Sequence, residues 1–228
     1  MKILVTGATG YIGRRLKDRL LQRPDIQVRL LIRNKNKLRS GTLSKVEVVE
    51  GDTFNKSALS KALKDIDVAF YMIHSMGSSG DFKRLDRESA ENFRDAAIEM
   101  RVRKIVYLGG LGVKETASHH LLSRIETGEI LSAFPEKLQT IWFRAGVIIG
   151  SGSASFEIIM NLLQKLPIMI TPRWVKTKTQ PISVEDVISY LENAADIKAT
   201  ENVEEEYKLL AGTLTSDILP NSLKNSSS

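Results

Sequence analysis

Three glycines near the start of the chain have the spacing of a turn that binds a dinucleotide. They follow the apolar run 2–6 and precede an amphipathic segment. Gly7 permits the tight turn, Gly10 lets the backbone approach a pyrophosphate, and Gly13 lets the helix pack against the strand. The helix N-terminus adds unpaired N–H groups and a favourable dipole. The pattern therefore predicts a dinucleotide site made by Gly7, Thr9, Gly10, Tyr11, Ile12 and Gly13.

A positively charged residue lies at the position where such a site binds the adenosine ribose. The second strand-like run ends at Arg33, where an acidic residue would bind the ribose hydroxyls of NAD and repel a 2′-phosphate. A guanidinium can instead bind that phosphate through two hydrogen bonds. The sequence therefore favours NADP, with NAD possible. Arg14 could add positive potential, and we expect Arg15, Lys35 and Lys37 to be solvated.

The elements that must position these residues alternate along the chain. Strand-like runs occupy 2–6, 27–32, 46–50, 67–73, 104–108 and 139–145. Helical patterns occupy 11–23, 55–64, 81–101, 119–133, 154–165 and 183–195, and a last strand-like run covers 207–211. Several strand runs are almost wholly apolar, as expected when helices cover both faces. The sequence therefore predicts an α/β fold: a Rossmann-like, doubly wound parallel sheet.

Composition limits the remaining classes of function. The 228 residues include no cysteine, and the three histidines (His74, His119, His120) lack the spacing of a metal cluster, so we expect no metal. The net charge of +6 is spread along the chain with 6% aromatic residues, which argues against nucleic acid. No apolar run reaches transmembrane length and no leader is visible, so we expect a cytoplasmic protein without a membrane span. One domain is predicted over 1–212, with substrate-side elements in 146–212 and a tail at 213–228.

The motifs together resemble a known superfamily. The segment 6–13, Gly51-Asp52 after the third strand, Arg144 at the end of the sixth and the segment 181–187 are similar to those of extended or atypical short-chain dehydrogenases/reductases. Within it, the chain resembles nucleoside-diphosphate-sugar-epimerase-like proteins and NADP-sensing (NmrA-like) regulators of nitrogen metabolite repression. The resemblance implies that Asp52 and Thr53 contact the adenine, and that His74 and Gly109 line the cofactor.

The chain departs from the superfamily where the chemistry is expected. The resemblance calls for a serine after the fifth strand and a Tyr-x-x-x-Lys pair on the next helix. Here Gly109 and Gly110 replace the serines, and no tyrosine lies near the helix. One alignment leaves His120 and Arg124 as an acid–base pair. The alternative is that His119 and His120 are merely exposed and Arg124 pairs with Glu126, Glu129 or solvent.

Two later stretches are candidates for the substrate side. Ser151 and Ser153 lie in a small-residue loop that could bind an anion or, through Ser153 or Ser155, cap a helix. Trp174 lies among cations and could stack on an acidic or phosphorylated ligand, or simply anchor the loop.

Two functions follow from these residues together with what the resemblance implies. The first is an NADP(H)-dependent oxidoreductase or epimerase-like enzyme that has unusual catalytic residues and acts on a small anionic or sugar-nucleotide-like substrate. The second is a catalytically silent NAD(P)-binding module that senses redox state or regulates a partner protein. The helices near 81–101 and 119–133 could form the interface of a homodimer or simply cover the sheet.

Overall fold

The computed structural model describes residues 1–74, 82–153, 157 and 181–198. Six parallel strands form the main sheet: β1 (Lys2–Thr6), β2 (Gln27–Ile32), β3 (Glu47–Glu50), β4 (Val68–Tyr71), β5 (Lys104–Gly110) and β6 (Gln139–Ala145). Their order is β3-β2-β1-β4-β5-β6. The order reverses direction between β1 and β4, which is where open α/β sheets bind ligands. The predicted fold class is confirmed.

Six helices accompany this sheet in the described part of the chain. They are α1 (Tyr11–Leu20), α2 (Ser40–Leu43), α3 (Lys56–Leu63), α4 (Phe82–Glu99), α5 (His119–Leu131) and α6 (Val184–Asp196). Short 3-10 turns cover Lys35–Lys37 and Lys114–Thr116, and β7 (Ile148–Ile149) pairs in parallel with β8 (Ile182–Ser183). These short elements were not predicted. The predicted helix 154–165, apart from residue 157, and the predicted strand 207–211 fall outside the described residues, so the domain limits stay a prediction.

Alternating strand residues divide the core between the two faces. Ile3 and Val5 point to a cluster shared with α1 and α6, whereas Leu4 points to one shared with α3, α4 and α5. This is the period of two that a pleated strand imposes. Because both faces are covered, β4 and β5 are buried along their whole length. The carboxyl ends of the strands are left as the edge where side chains can meet a ligand.

Side-chain caps determine where several helices begin. Asn55 accepts the Ala58 amide at 3.0 Å at the start of α3. Ser183 accepts the Asp186 amide at 3.0 Å at the start of α6, which also carries acidic residues in its first turn. Such caps satisfy helix amides that have no carbonyl partner. Helix α1 differs, because no side chain in the described part of the chain caps its N-terminus.

Candidate functional site

The turn between β1 and α1 has a shape that only glycine allows at two positions. Gly7 has a φ of 62°, and a Cβ there would lie 2.2 Å from the carbonyl oxygen of Met72. A Cβ on Gly13 would lie 2.3 Å from the carbonyl oxygen of Gly7. The turn is therefore pressed between the chain that follows β4 and the first turn of α1.

The N-terminus of α1 suits an anion. Thr9 and Gly10 are exposed, and Gly10 is an N-cap residue without a side-chain partner. Among the described residues, a Cβ on Gly10 would meet only the Gly7 carbonyl oxygen, at 3.2 Å. The open space and the uncapped amides fit the pyrophosphate of a dinucleotide. A dinucleotide would be held here by backbone donors.

Tyr11 and Arg15 tie α1 to a loop far along the chain. The Arg15 guanidinium lies 4.1 Å from the centre of the Tyr11 ring and donates to the Ser151 carbonyl at 2.7 Å. The Tyr11 hydroxyl is buried without a hydrogen-bond partner among the described residues, and a Cβ on Gly150 would lie 2.8 Å from it. The expectation that Arg15 is solvated was wrong, because its guanidinium holds the loop.

The ends of β2 and β3 present one cation and one carboxylate. Arg33 is exposed, and no described residue bonds to its side chain. Asp52 follows β3, and its Oδ1 accepts the amides of Phe54 at 3.0 Å and Asn55 at 3.1 Å. Arg33 is therefore free to meet a ligand, whereas one oxygen of Asp52 shapes its own turn.

Thr53 is held inside the protein. Its hydroxyl lies 2.7 Å from that of Ser89, which in turn lies 2.6 Å from the Tyr71 hydroxyl. Its carbonyl accepts the Asn92 amide group at 3.1 Å. Burial raises the pKa of Tyr71, so this phenol stays protonated in the network.

His74 meets two helices just beyond β4. Its Nδ1 lies 3.4 Å from Oδ2 of Asp86 on α4. The Ser123 hydroxyl on α5 donates to the same oxygen at 2.8 Å. Asp86 and Ser123 are buried, whereas the His74 side chain is 27% exposed. Three elements therefore bring an imidazole, a carboxylate and a hydroxyl together at the edge of the crevice.

Side chains occupy the space of the missing serines. A Cβ on Gly109 would lie 2.4 Å from Nε1 of Trp142, and one on Gly110 would lie 2.5 Å from Cδ1 of Leu121. Any side chain at either position therefore requires its neighbour to move. The glycines are packing requirements of this chain.

The candidate catalytic pair on α5 is split by the structure. Arg124 donates from Nη2 to the Leu108 carbonyl at 3.0 Å, which places it at the carboxyl end of β5. His120 is exposed, and its ring stacks on Phe82 with centroids 4.7 Å apart. His119 is also exposed. No described contact joins His120 to Arg124, and their catalytic role stays a prediction.

Two expectations about this helix need correction. Arg124 does not pair with the acidic residues of its own helix, because Arg87 binds Glu126 and Lys114 binds Glu129. A tyrosine does lie near the helix, since the Tyr107 hydroxyl donates to the Arg124 carbonyl at 3.0 Å. Burial raises the pKa of Tyr107 to about 12. Its phenol is therefore a poor proton-transfer group near neutral pH.

A second guanidinium lies at the end of β6. Arg144 is the ladder partner of Gly109. Its Nη2 donates to the Gly112 carbonyl, and its guanidinium lies 5.5 Å from the centre of the Trp142 ring. Its Nε is buried with no hydrogen-bond partner in the described part of the chain. This arginine retains a buried donor.

The structure places the predicted substrate-side residues in different environments, where it describes them. The Ser153 hydroxyl donates to the Ile148 carbonyl at 2.9 Å, so it is already used within the loop. Ser151 is exposed, and its carbonyl is the one that Arg15 binds. Trp174 and Ser155 lie outside the described residues.

The sequence interpretation missed Asp86 and Ser123. The position of Asp86 in the helical pattern could have identified it, because it lies on the buried stripe of α4 that also carries Ala90, Phe93 and Ala97. A carboxylate on an apolar helix face needs partners. Within the described ranges, no cluster of three or more acidic or histidine residues could hold a metal ion, and no helix is long and apolar enough to cross a membrane.

Comparisons with known proteins agree with this geometry. Residues 7–140 match the model of a family described as NAD(P)H-binding. The (4-alkanoyl-5-oxo-2,5-dihydrofuran-3-yl)methyl phosphate reductase of Streptomyces griseus subsp. griseus is 33% identical over 123 residues. The match covers 54% of this chain and 39% of the relative. The chain thus spans about two fifths of the length of this curated relative.

Solved structures share the fold. The UDP-glucuronic acid 4-epimerase of Bacillus cereus, solved with NAD, is 20% identical with a TM-score of 0.70, over 87% of this chain and 75% of that one. The triphenylmethane reductase of Citrobacter sp. is 18% identical with a TM-score of 0.70, over 87% of this chain and 66% of that one. Both support a Rossmann-like architecture.

Proposed function

The chain belongs to the NAD(P)H-binding family whose model its residues 7–140 match, and on that premise we propose that it is an NADP(H)-dependent oxidoreductase of the atypical short-chain dehydrogenase/reductase type. The proposal depends above all on the glycine turn, where an uncapped helix N-terminus opens onto a clear surface at Gly10. The bound nucleotide supplies or accepts a hydride. The protein's own residues bind it, orient the substrate and move the proton.

Arg33 supports the choice of NADP. It directly follows β2, the strand next to β1, is exposed, and has no partner in the described part of the chain. Binding a phosphate would therefore break no existing ion pair. A hydrogen bond to a charged group contributes about 1.5–3 kcal/mol, which corresponds to roughly tenfold to hundredfold in affinity.

Two arginines support an anionic substrate. Arg124 and Arg144 are half-buried at the carboxyl ends of adjacent strands. Each donates one bond to a backbone carbonyl, and neither forms an ion pair with a carboxylate that the structure describes. The Streptomyces relative reduces a phosphate ester by its name. A phosphate or carboxylate on the substrate would satisfy donors such as the buried Nε of Arg144.

A silent NAD(P)-binding module is the second candidate. It is favoured by Gly109 and Gly110, because Trp142 and Leu121 fill the positions where the superfamily has serines. A sensor would bind NADP(H) without turnover and would change its affinity for a partner protein. Loss of that interaction on replacing Gly10 with a bulky residue would support the sensor.

Calorimetric titration with NADPH and NADH tests the proposal. We expect wild type to prefer NADPH, and Arg33→Asp to weaken NADPH by at least about tenfold while affecting NADH little. Arg101→Asp is the matched control, because Arg101 is exposed just before β5, at the opposite end of the strands. Equal NADPH affinity in wild type and Arg33→Asp would contradict the assignment of Arg33. No binding of either nucleotide would contradict the proposed function itself.

A further inference from the structure

A buried carboxylate lies beside the Nδ1 edge of the His74 ring. Asp86 is 3% exposed, and its Oδ2 accepts a hydrogen bond from Ser123 at 2.8 Å. The same oxygen lies 3.4 Å from Nδ1 of His74. Distances between catalytic partners are often long before a ligand binds and shorten in the complex. The contact is close enough to orient the ring.

The environment of Asp86 favours a proton on Nδ1 of His74. An ionised carboxylate out of water is costly unless donors or a positive charge compensate it. The Ser123 hydroxyl supplies one donor, and an Nδ1–H directed at Oδ2 supplies another. In the neutral imidazole the other nitrogen, Nε2, is then the acceptor. Nε2 has no hydrogen-bond partner among the residues described, and the side chain is 27% exposed.

The position of His74 is that of a group that meets the reacting end of a ligand. It follows β4, the neighbour of β1 at the point where the strand order reverses. The chain between β4 and His74 passes over the glycine turn, because the Met72 amide donates to the Thr6 hydroxyl at 3.0 Å and the Met72 carbonyl presses on Gly7. The imidazole is therefore fixed at the rim of the crevice where such sheets bind ligands.

We propose that His74 is the proton-transfer residue of the reaction, and that Asp86 and Ser123 are positioning residues that hold its ring. This rests on the proposed NADP(H)-dependent function. In the reducing direction, a polarised double bond of the substrate receives a hydride at one end and a proton from Nε2 of the His74 imidazolium at the other. The reduced nicotinamide nucleotide is the hydride source and is oxidised. The imidazole is left neutral with its proton on Nδ1, and it regains the second proton from solvent.

This assignment moves the acid–base role away from α5. The superfamily's tyrosine is missing there, and the phenol of Tyr107 has a pKa of about 12 and bonds to a backbone carbonyl. His120 is turned towards Phe82. His74 reaches the same crevice from the strand next to the glycine turn.

Nuclear magnetic resonance of the apoprotein tests the geometry without any turnover. With only three histidines in the chain, a ¹⁵N-histidine sample gives few signals, and His74→Gln identifies the one from residue 74. We expect neutral His74 to carry its proton on Nδ1 and to lose that preference in Asp86→Asn. NADPH should shift the His74 signal and leave that of His119 in place. A wild-type His74 protonated on Nε2, or unmoved by NADPH, overturns the proposal.

A measurement of turnover is the second test of this proposal. The probe is NADPH oxidation with (4-alkanoyl-5-oxo-2,5-dihydrofuran-3-yl)methyl phosphate, the compound named for the Streptomyces relative. His74→Gln should lower kcat by roughly 10²–10⁴-fold with unchanged NADPH affinity, whereas His119→Gln should match wild type. Equal rates in wild type and His74→Gln overturn the proton-transfer role. If NADPH binds to both, only this inference fails; if it binds to neither, the proposed function fails with it.

Discussion

Replacing Gly128 with alanine should destabilise the protein although alanine is the better helix former. Gly128 lies on α5 under the indole of Trp142. A Cβ there would lie 2.3 Å from Cε2, 2.4 Å from Cζ2 and 2.5 Å from Cδ2 of that ring. The indole has little room to retreat, because Gly109 abuts its Nε1 from β5. The ring fills a slot between two glycines.

The size of the effect is a difference between two opposing contributions. Removing a helix glycine gains up to about 1 kcal/mol. Overpacking a rigid side chain costs typically about 1–3 kcal/mol, and three ring atoms within 2.5 Å place this site at the upper end. We expect a net loss of about 1–2 kcal/mol in the free energy of unfolding, or a urea midpoint lower by roughly 0.5–1 M.

Urea denaturation followed by tryptophan fluorescence measures this difference. Gly41→Ala is the matched control, because Gly41 is also helical and no atom of the described residues lies within 4 Å of its Cβ position. That variant should be neutral or slightly more stable. In a Trp142→Phe background, the cost of Gly128→Ala should shrink, since the two residues are in contact. A Gly128→Ala protein as stable as Gly41→Ala would refute the reasoning.

Three further perturbations test other parts of the molecule. Gly7→Ala should cost more than about 2 kcal/mol and abolish NADPH binding, because φ is 62° and the Cβ would meet the Met72 carbonyl; Gly10→Ala should cost less, and urea denaturation with calorimetry separates the two. Lys104→Met should lower unfolding free energy by about 1–3 kcal/mol, because the buried ammonium donates to carbonyls at the end of α6; a urea midpoint equal to wild type would exclude this. In wild type, the free energy of unfolding should fall between about pH 10 and 12, because burial raises the pKa of the Tyr107 phenol and the stability that its protonated form contributes is lost as pH rises through the folded value. Tyr107→Phe should remove this part of the loss. Urea midpoints across that range provide the check, and parallel wild-type and variant curves would contradict it.

The sheet and the glycine turn could be predicted because their causes are local. Apolar runs with helices between them specify parallel strands, and Gly7 and Gly13 are required by contacts of the turn itself. Predicted strand limits differ from the structure by a few residues at most, as for 67–73 against Val68–Tyr71. Short elements such as β7 and β8 leave no periodic pattern and were missed.

The candidate site could be predicted only in part, because its contacts join distant segments. His74, Asp86 and Ser123 meet only once α4 and α5 are docked on the sheet, and the sequence does not specify how far each helix is rotated. The glycine pair 109–110 was visible as missing side chains. Trp142 fills the space beside Gly109, and this depends on the register of β6 against β5.

The contact between α1 and α6 has a consequence for how the chain is made. The apolar stripe of α1, with Leu16 and Leu20, is buried against Val187, Ile188 and Leu191 of α6. On a ribosome adding about 5–20 residues per second, the roughly 160 residues between these helices take about 8 to 32 seconds to synthesise. For that interval the first helix of a nascent chain exposes its apolar face. The newly made N-terminal segment is thus a client for chaperones until α6 emerges and covers the apolar face of α1.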